Sequence, residues 1–517
     1  MPDHFILIVV DIDFQNVLYK SVVRRLLRRT QQAFPPYRTE GSPQRPLWLV
    51  YTVVINYDYY DAMSKKFDPA ALSEFARYYG FHYDRIDSAA LVEDVLYEME
   101  KGLRGLPSSL PMIPAYISPV SKIAPGKLVI ALDAGGTNLR AALAEFDGSG
   151  KAIVKESLKA PMPGTTGPIS AISFFDEIAA VTAPLIEKAG RVEGIGFCFS
   201  YAMEITKETD GILLSFSKEV DAPEVIGKAM GVGLREALIR RNVKPPEKIV
   251  LLNDTVATLL SGFSELPSQG GLWRGEDKYG VEIGPVVGFI LGTGFNTAYP
   301  ERCIPKINFD SAVNPQIVVC ESGNFAHRYT GFLDSEYDKT TKSPGAYTLE
   351  KATSGAYLGP LTFHVISRAL RDGLFGFNKA DEFLSWPTLQ TKDLNAFMRE
   401  PLTRSGPIGE LFGPDERDAL TSFVYLTSIV TERGAVLSAA VLAAAIEKAG
   451  AGFDPFVPVR VAVEGTTYMI YKGMRSALES HLHVLLNRDK PRSYAIAPVE
   501  QASLLGAAVA ALSANSG

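Results

Sequence analysis

The chain has 517 residues, 46% hydrophobic and 21% charged, the make-up of a globular protein with room for two or more domains rather than of a disordered segment. Its net charge of -6 gives no electrostatic case for a nucleic acid or an anionic membrane as partner. The three cysteines, Cys198, Cys303 and Cys320, are odd in number and far apart, so buried thiols in a reducing compartment are expected, not a disulfide scaffold or a zinc site.

Residues 1–62 stand apart in composition. Arg24-Arg25 and Arg28-Arg29 flank Leu26-Leu27, prolines follow at 35, 36, 43 and 46, and Leu47 to Tyr60 is rich in aromatics. The segment reads either as an anchoring or regulatory extension or as sequence upstream of a natural start at Met63, and the second is expected. Phe5 to Val10 is too short for a secretory core and is followed by Asp11 and Asp13, so no signal peptide is expected and the cytoplasm is the default.

From Pro69 to Gly102, Leu72, Phe75 and Tyr79, then Leu91, Val95 and Met99, repeat at helical spacing, with a break around Gly80 and Asp84 to Asp87. Prolines mark 107–125 as a linker. Strand-like runs follow at 128–132, 141–146, 194–199, 249–252, 286–291, 317–320 and 459–463, with helical patterns such as 172–189 and 256–263 between them. That alternation argues an α/β fold. A boundary near Leu252 divides a small lobe, 126–252, from a large lobe, 253–517, with 63–125 packing on the large lobe. Ala435 to Ile446 reads as a close-packed core helix, since no run reaches the ~18 uninterrupted apolar residues of a membrane span.

The most informative stretch is Asp133-Ala-Gly-Gly-Thr-Asn-Leu-Arg140, directly after the strand Leu128 to Leu132. Gly135 and Gly136 can turn sharply and bring backbone N–H groups to an anion, Thr137 adds a hydroxyl, and Asp133 can hold a cation directly or through water. A second apolar strand, Val286 to Leu291, runs into Gly292-Thr-Gly-Phe-Asn296. Two such turns suit a nucleotide clamped between related sheets, and neither is a Walker A loop or a Gly-x-Gly-x-x-Gly site. Asp254 follows the strand Ile249 to Leu252 and precedes a helix, so its carboxylate is either a base beside a cleft or an ordinary helix cap.

These segments resemble the motifs of the hexokinase and glucokinase family, in order. Leu132 to Arg140 is similar to the first phosphate motif, Leu252-Asn-Asp-Thr255 to the segment with the catalytic base, and Gly292 to Asn296 with Tyr299 to the second phosphate motif. Glu321 with Gly323 and Phe325, and Glu350-Lys351 with Tyr357-Leu-Gly359, resemble sugar loops; Val461-Ala-Val-Glu-Gly-Thr466 resembles the adenosine-side strand, and Gly506-Ala-Ala508 the closing helix. The likeness runs over roughly residues 65 to 515.

The resemblance implies a two-lobed actin-like ATPase (ribonuclease H-like) fold and ATP-dependent phosphorylation of glucose, mannose or fructose at the 6-hydroxyl, opening glycolysis. It implies Asp254 as base and Ser200, Ser217, Lys218, Asn253, Asp254, Asn296, Glu321 and Glu350 around the hexose. ATP falls to Asp133, Gly135, Gly136, Thr137, Asn138, Arg140, Gly292, Thr293, Gly294, Gly465 and Thr466, with Mg²⁺ at Asp133, expected through water. Hexose and ATP are the expected partners, without nucleic acid or a membrane span, in a monomer or homodimer. The chain departs from the family pattern at Ser200-Tyr201-Ala202 for Ser-Phe-Pro, Ser217-Lys218-Glu219 for Thr-Lys-Gly, Phe295 for a small residue, Val319 for asparagine, Glu464 for aspartate, and Ser503-Leu-Leu505 for a glycine-serine turn. The substituted sugar loop motivates the alternative of a catalytically inactive sugar sensor.

Overall fold

The computed structural model describes residues 65–119, 123–216, 220–264, 285–311, 315–488 and 490–513. The expectations for residues 1–62, and for Ser217 and Lys218, lie outside them.

Two sheets organise the chain. The first has the order β4-β3-β2-β5-β6, from β2 (Leu128–Gly135), β3 (Asn138–Phe146), β4 (Ala152–Pro161), β5 (Ile195–Phe199) and β6 (Ile249–Leu252). The second has the order β1-β9-β8-β7-β10-β11, from β1 (Ile113–Pro114), β7 (Val286–Leu291), β8 (Phe295–Glu301), β9 (Gln316–Val319), β10 (Val459–Glu464) and β11 (Tyr494–Pro498). In the first, β2, β3 and β4 form an antiparallel meander and β5 and β6 join parallel to β2. In the second, β7, β8 and β9 repeat the meander and β10 and β11 join parallel to β7. The internal echo of strand and glycine-threonine turn is therefore an echo of topology, with β1 added at one edge.

Helices cover and separate the sheets. On the first, α3 (Ala171–Ala189) and α4 (Met230–Arg240) bury Phe174, Phe175, Ile178, Leu234 and Leu238 against Ile130, Leu132 and Phe197. The N-terminal α1 (Pro69–Tyr78) and α2 (Ser88–Leu103) bury Leu72, Phe75, Leu91, Val95 and Met99 in the same core as Val287, Phe289 and Val318 of the second sheet. Asp68 and Asp87 each cap the helix that follows with two backbone N–H bonds, at 3.0 to 3.1 Å. The 32-residue α9 (Arg417–Lys448) is long and apolar enough on composition to span a membrane, yet 94% of its most apolar window is buried inside the protein, as a core helix requires.

A third core joins the lobes. The helices α5 (Asp254–Ser264) and α11 (Ala502–Ala510) lie among residues of both sheets, including Val129, Ala131, Cys198 and Val250 with Val286, Ala298 and Ala462. Glycine permits these crossings: a Cβ at Gly506 would sit 1.9 Å from the Ala257 carbonyl oxygen, and one at Gly196 1.8 Å from that of Ala507. The cysteine expectation needs one correction. Cys198 and Cys320 are buried, but Cys303 is exposed, because it sits on a short two-stranded ribbon, 303–304 with 309–310, outside both sheets.

Candidate active site

β2 and β3 are joined by the two-residue turn Gly136-Thr137, with Gly136 at φ 61°, a conformation that glycine adopts without steric cost. The Gly136 carbonyl accepts from the Tyr201 hydroxyl at 3.1 Å, and the Thr137 carbonyl from Met162 N at 3.0 Å. In the turn between β7 and β8, the Gly292 carbonyl accepts from Gly355 N at 2.7 Å and Thr467 Oγ1 at 2.8 Å, and the Thr293 carbonyl from Ala356 N at 3.2 Å. A carbonyl repels an anion and an N–H attracts it, so tying these carbonyls to other loops removes the groups of the wrong sign from both turns, although in the second the Gly292 N–H is itself donated to the Gly294 carbonyl at 3.0 Å.

Gly465 ends β10 at φ 126°, and a Cβ there would lie 2.3 Å from the Leu291 carbonyl oxygen, so this strand end crosses directly over the second turn. Thr466 opens the short helix that follows. Asn138 Nδ2 donates to Thr137 Oγ1 at 3.1 Å, and the exposed Arg140 sits opposite Asp133 in the β2–β3 ladder. Phe295 replaces a small residue without filling the turn: its ring is buried 5.6 Å from that of Phe289, and only its backbone N–H faces a carboxylate.

Asp254 heads α5, but it does not cap it. Asn253 Oδ1 takes the Thr255 N–H at 2.7 Å and performs the capping, which leaves the Asn253 amide nitrogen as the atom it could offer a ligand. Burial first, then the charges of Asp133, Asp254 and Glu464, push the pKa of the Cys198 thiol well up. Glu464 Oε2 accepts from Thr258 Oγ1 at 3.2 Å and Ser503 Oγ at 3.4 Å. Ser200 continues this strand end, its N–H donating to the Ala134 carbonyl at 3.0 Å.

The Asp254 charge also reaches Glu321 and Glu350. Glu321 sits at φ 54°, a left-handed conformation that a non-glycine residue holds only when its surroundings fix it. Asn296 Nδ2 donates to Glu321 Oε1 at 2.9 Å, while Asn296 Oδ1 accepts from Thr297 N at 2.8 Å and Ser322 N at 3.2 Å. The Asn296 oxygen and one of its two N–H groups thus orient the loop, and the second N–H is the atom it could offer a ligand. Glu350, in the helix α7 (Thr348–Thr353), accepts from Phe295 N at 3.0 Å. The next residue, Lys351, is buried and bonds Asp338 and, at 2.7 Å, the Ser343 carbonyl.

Two family models described as hexokinase match the chain in tandem, one over residues 72–263 and the other over 286–513. The chain belongs to the hexokinase family. Hexokinase-7 of Oryza sativa subsp. japonica is 28% identical over 426 residues, covering 78% of this chain and 88% of that protein. Hexokinase-1 of Nicotiana tabacum is 29% identical over 444 residues, covering 80% and 85%. Among solved structures, a hexokinase crystal structure aligns with TM-score 0.68 at 22% identity, covering 86% of this chain and 99% of its own. Hexokinase from Schistosoma mansoni complexed with glucose aligns at 0.64 and 22%, covering 85% and 98%. These neighbours bear out the two-lobed actin-like sugar-kinase fold.

Within this hexokinase fold the acids are electrostatically strained. Burial, then the Asp254 charge, pushes Glu321 up to about 7, with Asn296 opposing and Glu350 adding to the rise. Glu464 is likewise pushed up to about 7 by burial and then by Asp254. Glu350 is raised, first by burial. Such groups hold their proton more tightly in the fold than in the unfolded chain. Their effect on stability is most favourable below about pH 4.5 and is lost as pH rises through about 7. Glu464→Gln, which has no charge to bury, is therefore expected to raise unfolding free energy at pH 8 by at most about 3 kcal/mol and to change it little at pH 5. Urea titrations at the two pH values check this, and an equal effect at both would contradict it.

Hexokinases in general use Mg²⁺ with ATP, and the donor set here fits it. Mg²⁺ takes one or two protein carboxylates and completes its shell with phosphate and water oxygens; Asp133, in the strand that leads into the first turn, is a hard oxygen donor, and its charge reaches that of Glu464. Three residues of the site, Tyr201, Glu464 and Lys351, were not among those expected. The first two stood out in the sequence only as departures from the pattern, and Lys351 only as the neighbour of Glu350. Lys351→Met strips the partner from the half-buried Asp338 and loosens the start of α7, so it is expected to cost about 1 kcal/mol in urea unfolding and to raise the sugar KM. An unchanged midpoint and KM would count against that role.

Proposed function

We propose that this chain transfers the γ-phosphoryl group of ATP, with Mg²⁺, to the 6-hydroxyl of a D-hexose, glucose first and mannose or fructose next, opening glycolysis in the cytoplasm. The carrying observation is that Asp254 acts electrostatically on Glu321 and Glu350, which are held by the adjacent residues Asn296 and Phe295, and on Glu464, which accepts from Thr258 of the helix that Asp254 heads. A proton acceptor for phosphoryl transfer belongs between the acceptor sugar and the donor phosphates.

In this reading Glu321 and Glu350 accept hydrogen bonds from sugar hydroxyls, with Asn296 holding Glu321 in place and Ser200 and Asn253 lining the same space. The N–H groups of the two turns hold the phosphate chain, and Asp133 would hold Mg²⁺, which would supply charge neutralisation there. The 6-hydroxyl oxygen forms a bond to the γ-phosphorus as the bond to the ADP oxygen breaks, and the hydroxyl proton passes to Asp254. Bringing the lobes together around the sugar would exclude water as a competing acceptor.

The substituted sugar loop favours a second reading, a sugar sensor that binds and closes without turnover. The test is a panel of glucose, mannose, fructose and glucosamine, with binding measured by calorimetry and turnover by coupled ADP release. Turnover with glucose leading the series supports the kinase. Glucose binding without ADP release would replace it with the sensor.

A further inference from the structure

We infer that the Tyr201 hydroxyl is a positioning group for nucleotide, aiming the first phosphate turn from the sugar side of the small lobe. The inference rests on the kinase reading, because it assumes that the Gly136-Thr137 turn meets phosphate.

The peptide linking Gly136 to Thr137 is planar and trans, so its C=O and N–H point in opposite directions. The Tyr201 hydroxyl donates to the Gly136 carbonyl at 3.1 Å and so fixes the direction of the Thr137 N–H as well. Gly136 is at φ 61°, and glycine, which has no Cβ, restrains its own peptide little. A peptide flip would turn the carbonyl, the group of the wrong sign, toward an anion. Of the turn carbonyls described above, that of Gly136 is the one held by a side chain from the Ser200-Tyr201-Ala202 segment; the others are held by backbone N–H groups or by Thr467.

The ring itself is anchored separately. Tyr201 is 5% exposed and its ring lies 4.8 Å from Phe199 and 5.2 Å from Phe216, centroid to centroid. Ser200, the preceding residue, donates its N–H to Ala134 in the strand that leads into the turn. A sugar that orders Ser200 would therefore also order Tyr201, and through it the phosphate turn. Losing the hydroxyl leaves the aromatic packing in place and removes the neutral hydrogen bond to the Gly136 carbonyl, an effect of roughly 3- to 10-fold on an equilibrium it controls.

Tyr201→Phe is the test, read by direct binding of a non-hydrolysable Mg-ATP analogue and of glucose to the full chain, with steady-state constants and thermal midpoints alongside. The expected result is a Kd for the analogue and a KM for ATP raised roughly 3- to 10-fold, with glucose Kd and the thermal midpoint close to wild type. Analogue affinity within about twofold of wild type, or an equal weakening of glucose and analogue, would overturn the inference, since a purely structural role moves both ligands together. Failure of the wild-type chain to bind the analogue would overturn the kinase reading, and this inference with it.

Discussion

Asp254→Ala is expected to lower kcat by roughly 10²- to 10⁴-fold, the range of a lost general base, while glucose Kd stays within a few-fold of wild type. The residue heads α5 but leaves its capping to Asn253, whose side chain takes the Thr255 N–H, so alanine at 254 removes charge chemistry without removing the cap. Removing the Asp254 charge also relieves Glu321 and Glu464, both of which it pushes up, so the carboxyls that titrate near pH 7 should move to lower pH in the variant. Single-turnover rates and a pH titration of glucose binding check both. A variant that keeps most of its rate would remove Asp254 from the chemistry.

The second large effect is on stability. Gly506→Ala places a Cβ 1.9 Å from the Ala257 oxygen, 2.4 Å from its carbonyl carbon and 2.5 Å from its Cα, all backbone atoms of a buried helix that cannot swing aside. α5 and α11 would have to separate, and because they lie in the core that joins both sheets, the loss is expected to be about 3 kcal/mol or more, with expression falling accordingly. Gly148→Ala, where nothing lies within 4 Å, is the matched control and is expected to change urea stability by less than about 0.5 kcal/mol. A Gly506→Ala protein as stable as that control would mean the helices do not cross this closely.

Much of the frame was legible because buried strands announce themselves. The runs 249–252 and 286–291 are strands β6 and β7 over the residues expected, and 172–189 is α3 within one residue. The strands that escaped notice are those whose burial does not show as an apolar run. β4, Ala152–Pro161, is an edge strand with an alternating, largely exposed face, and β11, Tyr494–Pro498, is an edge strand of intermediate burial. β8 escaped because Phe295-Asn-Thr reads as the continuation of a turn, although the residues beyond it are buried against β7 and β9.

For the site, residue types in ordered motifs placed Asp133, Asp254, Glu321 and Glu350 near one another. What they could not reveal is which polar atoms the protein already uses. Asn296 was expected as an amide for the sugar, and its oxygen and one N–H also bond the protein; Tyr201 looked like a departure from a pattern, and its hydroxyl holds the Gly136 carbonyl. Such assignments depend on distances of about 3 Å between residues 25 to 65 positions apart, which no local pattern encodes.

The most direct test of the central claim is phosphorus NMR of the reaction of wild-type protein and Asp254→Ala with glucose, ATP and Mg²⁺, following ADP and the phosphorylated sugar together. The account predicts glucose 6-phosphate and ADP formed one for one by the wild type and almost none by the variant. ADP without sugar phosphate, or equal sugar phosphate from both proteins, would contradict it.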